Sequence, residues 1–363
     1  MNNPFLSYSE EYNCEYLSSV CSINRVVVAK PPLEGVDDSI KGKSAMEFFS
    51  TPVIVNEIKK QAKARRLDIS EYCDSDLPKF LNDGILSTDA RKKRVCNDIA
   101  IKFGNRLGLL LLTLKTALEE NKAARTDWTD EHWNYWKNVK TVILVGGLAS
   151  GMLGRRFKEC IHNIFDMANV KPYNIMLFES GSHVGVMGCA TLIKEENSYN
   201  VIFDFGQTNT KRSLVVKKNG EITEIKTLPT LPSVNMQTDI IDRKERLEKA
   251  YELHKHIVNI ITDTYREAQE RYDVSDEIII SIANYNIGDR LSPKRGGYAK
   301  LCDLSDEYGK LLAHDLSGSL RREVKIRLVH DATAVALYFK DYENSVCLTL
   351  GTAFGVGFPQ MNL

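Results

Sequence analysis

Charge of one sign is not in excess anywhere in the totals: Lys plus Arg and Asp plus Glu each number 48 in 363 residues. Such a balance creates no net field toward nucleic acid or a membrane surface, and neither partner is expected. Long apolar runs are missing as well. The longest, Leu107 to Leu114, is broken by Thr113 and closed by Lys115, far short of the about 20 residues that cross a bilayer. The opening Met-Asn-Asn-Pro-Phe has no basic segment followed by an apolar one, so no secretory leader is read and a cytoplasmic protein is expected. The eight cysteines include no C-x-x-C pair, which argues against a zinc knuckle or a thioredoxin-like motif. Cys189 and Cys347 stand among apolar residues and read as small buried hydrophobes. Low-complexity segments and short repeats are absent.

What is present is ordinary for a globular chain: 43% apolar and 26% charged residues. The length favours two domains. Ser22 to Ala29 reads as a strand ended by Pro31-Pro32. Thr51-Pro52 opens a helix to about Arg66, with Pro in the first turn. Apolar residues at helical spacing (Val95, Ile99, Phe103, Leu107, Leu110, Leu114) predict a long buried helix over 91–120. Trp128, Trp133 and Trp136 fall in a polar loop or short helix and suit core or interface packing. A buried strand at Thr141 to Val145, a helix over 152–168, a strand over 174–178 and a small-residue helix over 185–194 follow. Glu195 to Ser198 reads as a domain joint. Beyond it come strands at 201–204, 213–217 and 221–227, the last two joined by the hairpin turn Asn219-Gly220. A long helix is expected over 240–271, then strand 277–283, helix 307–320, strand 326–329, helix 332–339, and a strand pair at 346–350 and 355–358. This alternation is α/β layering.

Three glycine-bearing segments carry the chemistry. In Val201-Ile-Phe-Asp204-Phe-Gly206-Gln207-Thr208-Asn-Thr210-Lys211 an apolar strand ends on an aspartate. Gly206 would admit close backbone approach to a phosphate oxygen. Thr208 and Thr210 offer hydroxyls, Lys211 a mobile charge, and Asp204 a carboxylate for hydrated Mg²⁺. A plain β-turn reads the same residues equally well. In Val329-His330-Asp331-Ala-Thr-Ala, followed after twenty residues by Gly351-Thr352-Ala-Phe-Gly355, Asp331 is either a general base at a strand end or a helix cap. In Val142-Ile-Leu-Val-Gly146-Gly147-Leu-Ala-Ser-Gly151 the spacing departs from the dinucleotide G-x-G-x-x-G. Asn284, at the end of the strand over 277–283, suits a sugar hydroxyl, and Arg290, Lys294 and Arg295 follow in a loop that could meet phosphate or substrate. His254-x-His256 does not share a helix face, so it is not read as a metal site.

Together these segments resemble the nucleotide site of the sugar-kinase/actin superfamily, and within it the ROK (repressor, open reading frame, kinase) sugar kinases. The order is permuted: residues 199–363 match that family's first half and about 40–195 its second. The resemblance implies two actin/hexokinase-like (ribonuclease H-like) α/β domains with a cleft between them, circularly permuted. One domain would be 1–195 plus 346–363 on the adenosine side; the other, 199–345, would carry phosphate and sugar. It implies an ATP-dependent kinase acting on a hexose-like hydroxyl, with Asp331 as general base. ATP and Mg²⁺ would be held by Asp204, Gly206, Gln207, Thr208, Thr210, Lys211, Gly351, Thr352, Gly355, Gly146 and Gly147, the metal by Asp204 through water. Sugar contacts would be Asn284, His330 and Glu47, the last in Gly42-Lys-Ser44-Ala-Met46-Glu47.

The chain also departs from the pattern. Gln207 stands for a glycine, Lys211 for arginine, and His330 for asparagine. No histidine precedes His132, so the family's Glu-x-Gly-His has no full match; Glu10 or Glu11 would supply its glutamate. Met46 stands where its zinc motif has a cysteine, so no structural zinc is expected. A non-catalytic sugar or nucleotide sensor and an actin-like filament protein are the rival readings. Residues 1–40 do not read as a helix-turn-helix, which weakens a DNA-binding role. A homodimer stays open.

Overall fold

Why Asp204 and Ser281 share a sheet face follows from the period of two along their strands. In the computed structural model, which describes residues 2–179, 183–294 and 296–362, the chain opens with a hairpin, β1 (Leu6–Ser9) and β2 (Cys14–Leu17). Helices follow: α1 (Ala45–Phe48), α2 (Thr51–Arg65), α3 (Leu77–Ile85), α4 (Ala90–Thr116), α5 (Glu119–Ala123) and α6 (Asp130–Asn138). Then come β3 (Thr141–Val145), α7 (Gly151–Met167), β4 (Asn174–Leu177) and α8 (Val184–Ala190). The next run is β5 (Tyr199–Phe205), β6 (Asn209–Lys218), β7 (Glu221–Pro232), α9 (Arg243–Gln269) and β8 (Val274–Ile282). A short pair β9 (Asn286–Ile287) and β10 (Arg290–Leu291) precedes α10 (Tyr308–Leu320), β11 (Lys325–His330) and α11 (Asp331–Leu337). The chain closes with β12 (Ser345–Leu350) and β13 (Phe354–Gly357). This is a mixed α/β protein with several sheets.

Two compact units divide the chain. The first holds Met1–Phe5, Ser19–Ser182 and Tyr342–Phe358; the second holds Leu6–Ser18, His183–Asp341 and Pro359–Leu363. In the first unit a four-stranded sheet runs β13-β12-β3-β4. β12 pairs antiparallel with β13 and parallel with β3, Cys347 opposite Ile143, so the C-terminal strand pair joins the sheet of Thr141 to Val145. The buried helix α4 starts with Asp89, whose carboxylate accepts from the Arg91 and Lys92 amides, an N-cap. Trp128, Trp133 and Trp136 are all buried, as core packing.

One expected element of this unit does not form. In place of a strand over 22–29 stands a 3-10 turn, Ile23–Arg25, preceded by another at Ser19–Cys21, with a single bridge from Val27 to Ser44. Asn24 explains it. Its side-chain amide donates to Phe354 O at 2.7 Å and its oxygen accepts from Phe354 N–H at 2.8 Å. A side chain thus makes the pair of bonds that strand backbone would have made.

In the second unit a five-stranded sheet runs β11-β8-β5-β6-β7, with β5, β8 and β11 parallel and β6 antiparallel to both neighbours. Val201, Phe203 and Phe205 of β5 and Ile278, Ile280 and Ile282 of β8 bury one sheet face against Leu253, Ile257 and Ile261 of α9 and Leu312 and Leu316 of α10. Ile202 and Ile279 point the other way, into Val186, Cys189 and Ala190 of α8 and Ala334 and Leu337 of α11. α8 and α11 cross closely: a Cβ on Gly188 would lie 1.6 Å from Ala334 O. Only a residue without a side chain fits there.

Candidate functional site

The alternation that buries Ile202 and Ile279 places Asp204 and Ser281, two residues further on, on the α8/α11 face of the sheet. Register then brings three side chains into one row. Lys211 of β6 lies opposite Asp204 of β5, and Asp204 lies opposite Ser281 of β8. Lys211 Nζ donates to Asp204 Oδ2 at 3.0 Å, and Ser281 Oγ donates to Oδ1 at 3.0 Å. Asp204 therefore has one oxygen on a cation and the other on a hydroxyl, with 15% of its side chain open.

Asp331 enters from β11, the strand beyond β8. The strand ends at His330 and Asp331 is the first helical residue of α11. The cap position belongs to His330, whose ring makes no capping bond. Asp331 Oδ1 accepts the Ala332 amide at 2.7 Å and lies 3.2 Å from His330 Nε2. Burial, and next the Asp204 carboxylate, push its carboxyl up to about 7, against smaller lowering effects of the Ala332 amide and Lys211. Its side chain keeps 42% of its surface open, enough for a ligand to reach it. A carboxyl that exchanges its proton near neutrality is suited to proton transfer.

His330 is set for a different task. It is buried, stacked on Tyr285 with centroids 4.4 Å apart and rings 12° from parallel. Nδ1 lies 3.3 Å from Thr333 Oγ1. Burial pushes its pKa down to about 3, so it is neutral beside Asp331. A neutral imidazole shapes and orients the carboxyl without adding charge.

The β5–β6 turn is tied down on all sides. Gly206 N–H donates to Asn209 O at 3.0 Å. Gly206 O accepts from Ser233 Oγ at 2.8 Å and Tyr298 OH at 2.9 Å. Gln207 Nε2 donates to Ala283 O at 3.1 Å, and its Oε1 accepts from Gly297 N–H at 3.3 Å. Thr208 is exposed and Thr210 is buried. Asn284 spends both ends of its amide on Ser292: Nδ2 donates to Ser292 O at 3.1 Å and Oδ1 accepts from Ser292 N–H at 2.8 Å. Arg290 forms a two-pronged pair with Glu11 of the β1–β2 hairpin, both contacts 2.9 Å. Arg295 lies outside the described residues.

The first unit carries the other sequence-predicted residues. Gly146 has φ +99°, and a Cβ there would meet Leu350 O at 2.6 Å. Gly147 faces open space instead. Gly351 begins the β12–β13 turn and its carbonyl accepts the Thr51 amide at 3.0 Å. Thr352 is exposed in that turn, and Gly355 lies in β13 opposite Thr349. Glu47 folds back on Ser44, accepting from its amide at 2.7 Å and its hydroxyl at 2.6 Å, a capping box at the start of α1.

Ser281, Ser233 and Tyr298 were not anticipated. No local motif marks them: the β5/β8 register brings Ser281 to Asp204, the β6/β7 pairing brings Ser233 to Gly206, and the loop through 296–298 brings Tyr298 there. His254 is engaged by Asp315 at 2.9 Å and Tyr308 at 3.2 Å. Among the described residues no group of three or more His, Cys, Asp or Glu is placed to hold a metal ion, and no helix is long and apolar enough to cross a membrane. Compared with known proteins, the chain matches no family model, and no curated protein matches it significantly.

Proposed function

We propose that this chain is an ATP-dependent carbohydrate kinase of the ROK type, built as a circularly permuted actin/hexokinase-like protein. The observation that carries the reading is Asp331. It follows the parallel strand β11, keeps 42% of its side chain open, and has its carboxyl pushed up to about 7 by burial and by Asp204. In the proposed reaction Asp331 accepts the proton of a sugar hydroxyl as that hydroxyl attacks. Lys211 and the turn over 206–210 meet the phosphate side. His330 holds Asp331 in orientation.

Mg²⁺ fits the donor set, since it binds through one or two carboxylates together with substrate phosphates. Asp204 would hold it through water. When bound, ATP supplies the transferred phosphoryl group and Mg²⁺ offsets its charge. Asp204 is now neutralised by Lys211, so Lys211 must turn from the carboxylate toward phosphate for the metal to approach.

Strand order supports the permuted fold. In the second unit, an antiparallel hairpin (β5, β6) is followed by parallel strands β8 and β11 on the far side of β5. In the first unit the hairpin β12, β13 is flanked the same way by β3 and β4. There the flanking strands precede the hairpin in sequence, as a permuted chain requires.

A non-catalytic sensor is the second reading. It is favoured by the closed state of Asp204 and by the Gln207 amide tied to Ala283 and Gly297. ADP release with ATP·Mg²⁺ over hexoses, N-acyl hexosamines and polyols separates the two. Calorimetric titration with ATP·Mg²⁺ adds a readout independent of turnover. Binding without ADP release supports the sensor, and neither binding nor release sinks both.

A further inference from the structure

We propose that the second unit carries a separate site for a tetrahedral oxyanion, in the cavity lined by the loop over 237–240, Arg246 of α9, Pro293, Lys294 and the residues over 296–300. The cavity measures about 70 Å³ and is lined by Thr238, Arg246, Lys294, Gly296 and Lys300 among others. About 10–15 Å³ of such space accepts one water, so it has room for the four oxygens of a phosphate group.

Its chemistry is one-sided. Among the described residues three cations line it and no carboxylate does. The nearby Asp239, Asp242 and Glu245 line a neighbouring recess instead. Arg246 is already matched by Asp303 at 2.6 Å, and Lys294 is exposed. Lys300 is the telling residue. It is 3% exposed, and its ammonium donates to two carbonyls, Asn235 O at 2.5 Å and Gly297 O at 2.6 Å. Carbonyl dipoles solvate a buried ammonium but do not cancel its charge, and an ammonium has three donors. Burial and Arg246 together push Lys300 below the usual lysine range. An oxyanion in the cavity would supply the missing countercharge. The site stands apart from the kinase reading: Lys294 lies in the loop read from the sequence as able to meet phosphate, but no lining residue is among the ATP, Mg²⁺ or sugar contacts.

Phosphate in such a pocket comes either as the free ion or as a phosphate monoester. The test is thermal unfolding and calorimetric titration of the full chain with inorganic phosphate, then with a hexose phosphate, each against chloride at matched ionic strength. Saturable binding and a raised Tm with phosphate are expected. Tighter binding of the hexose phosphate that is lost in Lys300→Met identifies a monoester as the ligand; tighter binding of inorganic phosphate lost in the same variant identifies the free ion. Lys300→Met should weaken binding at least tenfold. Lys294→Gln, an exposed change that leaves the fold alone, should weaken it several-fold. Lys211→Met, at the other phosphate-facing position, should leave it intact. A response lost with Lys211→Met but kept in both Lys294→Gln and Lys300→Met would overturn the proposal. So would the absence of any saturable response beyond chloride.

Discussion

Lys211 and Asp204 face each other across β5 and β6, with Nζ 3.0 Å from Oδ2. The pair links two charges to Asp331: Asp204 pushes the Asp331 carboxyl up and Lys211 holds it down. Lys211→Met should therefore raise Asp331 above its present value of about 7. A carbon-detected NMR titration of the Asp331 carboxyl reads this directly. An unchanged midpoint would mean that Lys211 does not reach Asp331 electrostatically.

Asp331→Asn separates base from scaffold. Loss of a general base typically costs about 100- to 10,000-fold in rate, so kcat should fall by that order while ATP affinity holds. In the native protein turnover should decline as pH drops through about 7, because the base is then protonated. Stability moves the opposite way. The folded state holds the Asp331 proton more tightly than the unfolded chain, whose value is near 3.8. The cost of ionising it is absent below that pH, grows as pH rises through about 7, and is complete above. Asp331→Asn should match native stability at pH 4 and equal or exceed it at pH 8. A mutant clearly less stable at pH 8 than at pH 4, relative to native, contradicts this.

His330 titrates with the reverse sign. Its folded value, about 3, lies below the unfolded 6.5. The unfolded chain takes up the proton first, so this residue's contribution is lost as pH falls from 6.5 toward 3. Replacing it by Gln should flatten the acid side of the stability curve, measured as denaturant midpoint against pH. An acid limb of unchanged slope would show that His330 is not the group responsible.

Backbone demands differ between adjacent glycines. Gly146→Ala forces a side chain onto a φ of +99° and into Leu350 O, and strain of this kind costs about 1–3 kcal/mol. Gly147 faces open space, so Gly147→Val should leave the fold intact and weaken ATP binding. Unchanged ATP affinity in the folded Gly147→Val protein counts against a nucleotide near this turn.

Overpacking tests the α8–α11 crossing. Gly188→Ala drives a methyl into Ala334 O and should destabilise by about 1–3 kcal/mol, read from denaturant unfolding. A neutral substitution would mean that the two helices part easily.

Much of the scaffold was legible because local chemistry and long-range packing agree. Asp89 caps α4, Pro52 sits in the first turn of α2, and Asn219-Gly220 closes the β6–β7 hairpin. Where one side chain competes with the backbone, legibility ended. Asn24, bonded through its side chain to the Phe354 backbone, sits in a 3-10 turn where the apolar run 22–29 reads as a strand. The β1–β2 hairpin has strands of only four residues and little apolar pattern, with Asn13 at φ +48° marking its turn, whereas α3 is legible in its Leu77, Phe80, Leu81 and Ile85, which recur at helical spacing and bury one face. At the candidate site, Asp204, Lys211 and Asp331 stood out by type and spacing. Ser281 and Tyr298 did not, because strand register and loop path are set by the whole sheet. Glu47 and Asn284 have side chains suited to a sugar, but in the fold they bond locally, to Ser44 and to Ser292.

The central claim is that Asp331 takes a proton from a sugar hydroxyl during phosphoryl transfer from ATP. The most direct measurement is ADP release by native and Asp331→Asn proteins, side by side, with ATP·Mg²⁺ and a panel of hexoses, N-acyl hexosamines and polyols. The account predicts sugar-dependent release by the native protein with at least one acceptor, reduced about 100-fold or more by Asp331→Asn. Equal rates for the two proteins, or no acceptor-dependent release by the native protein, would contradict it.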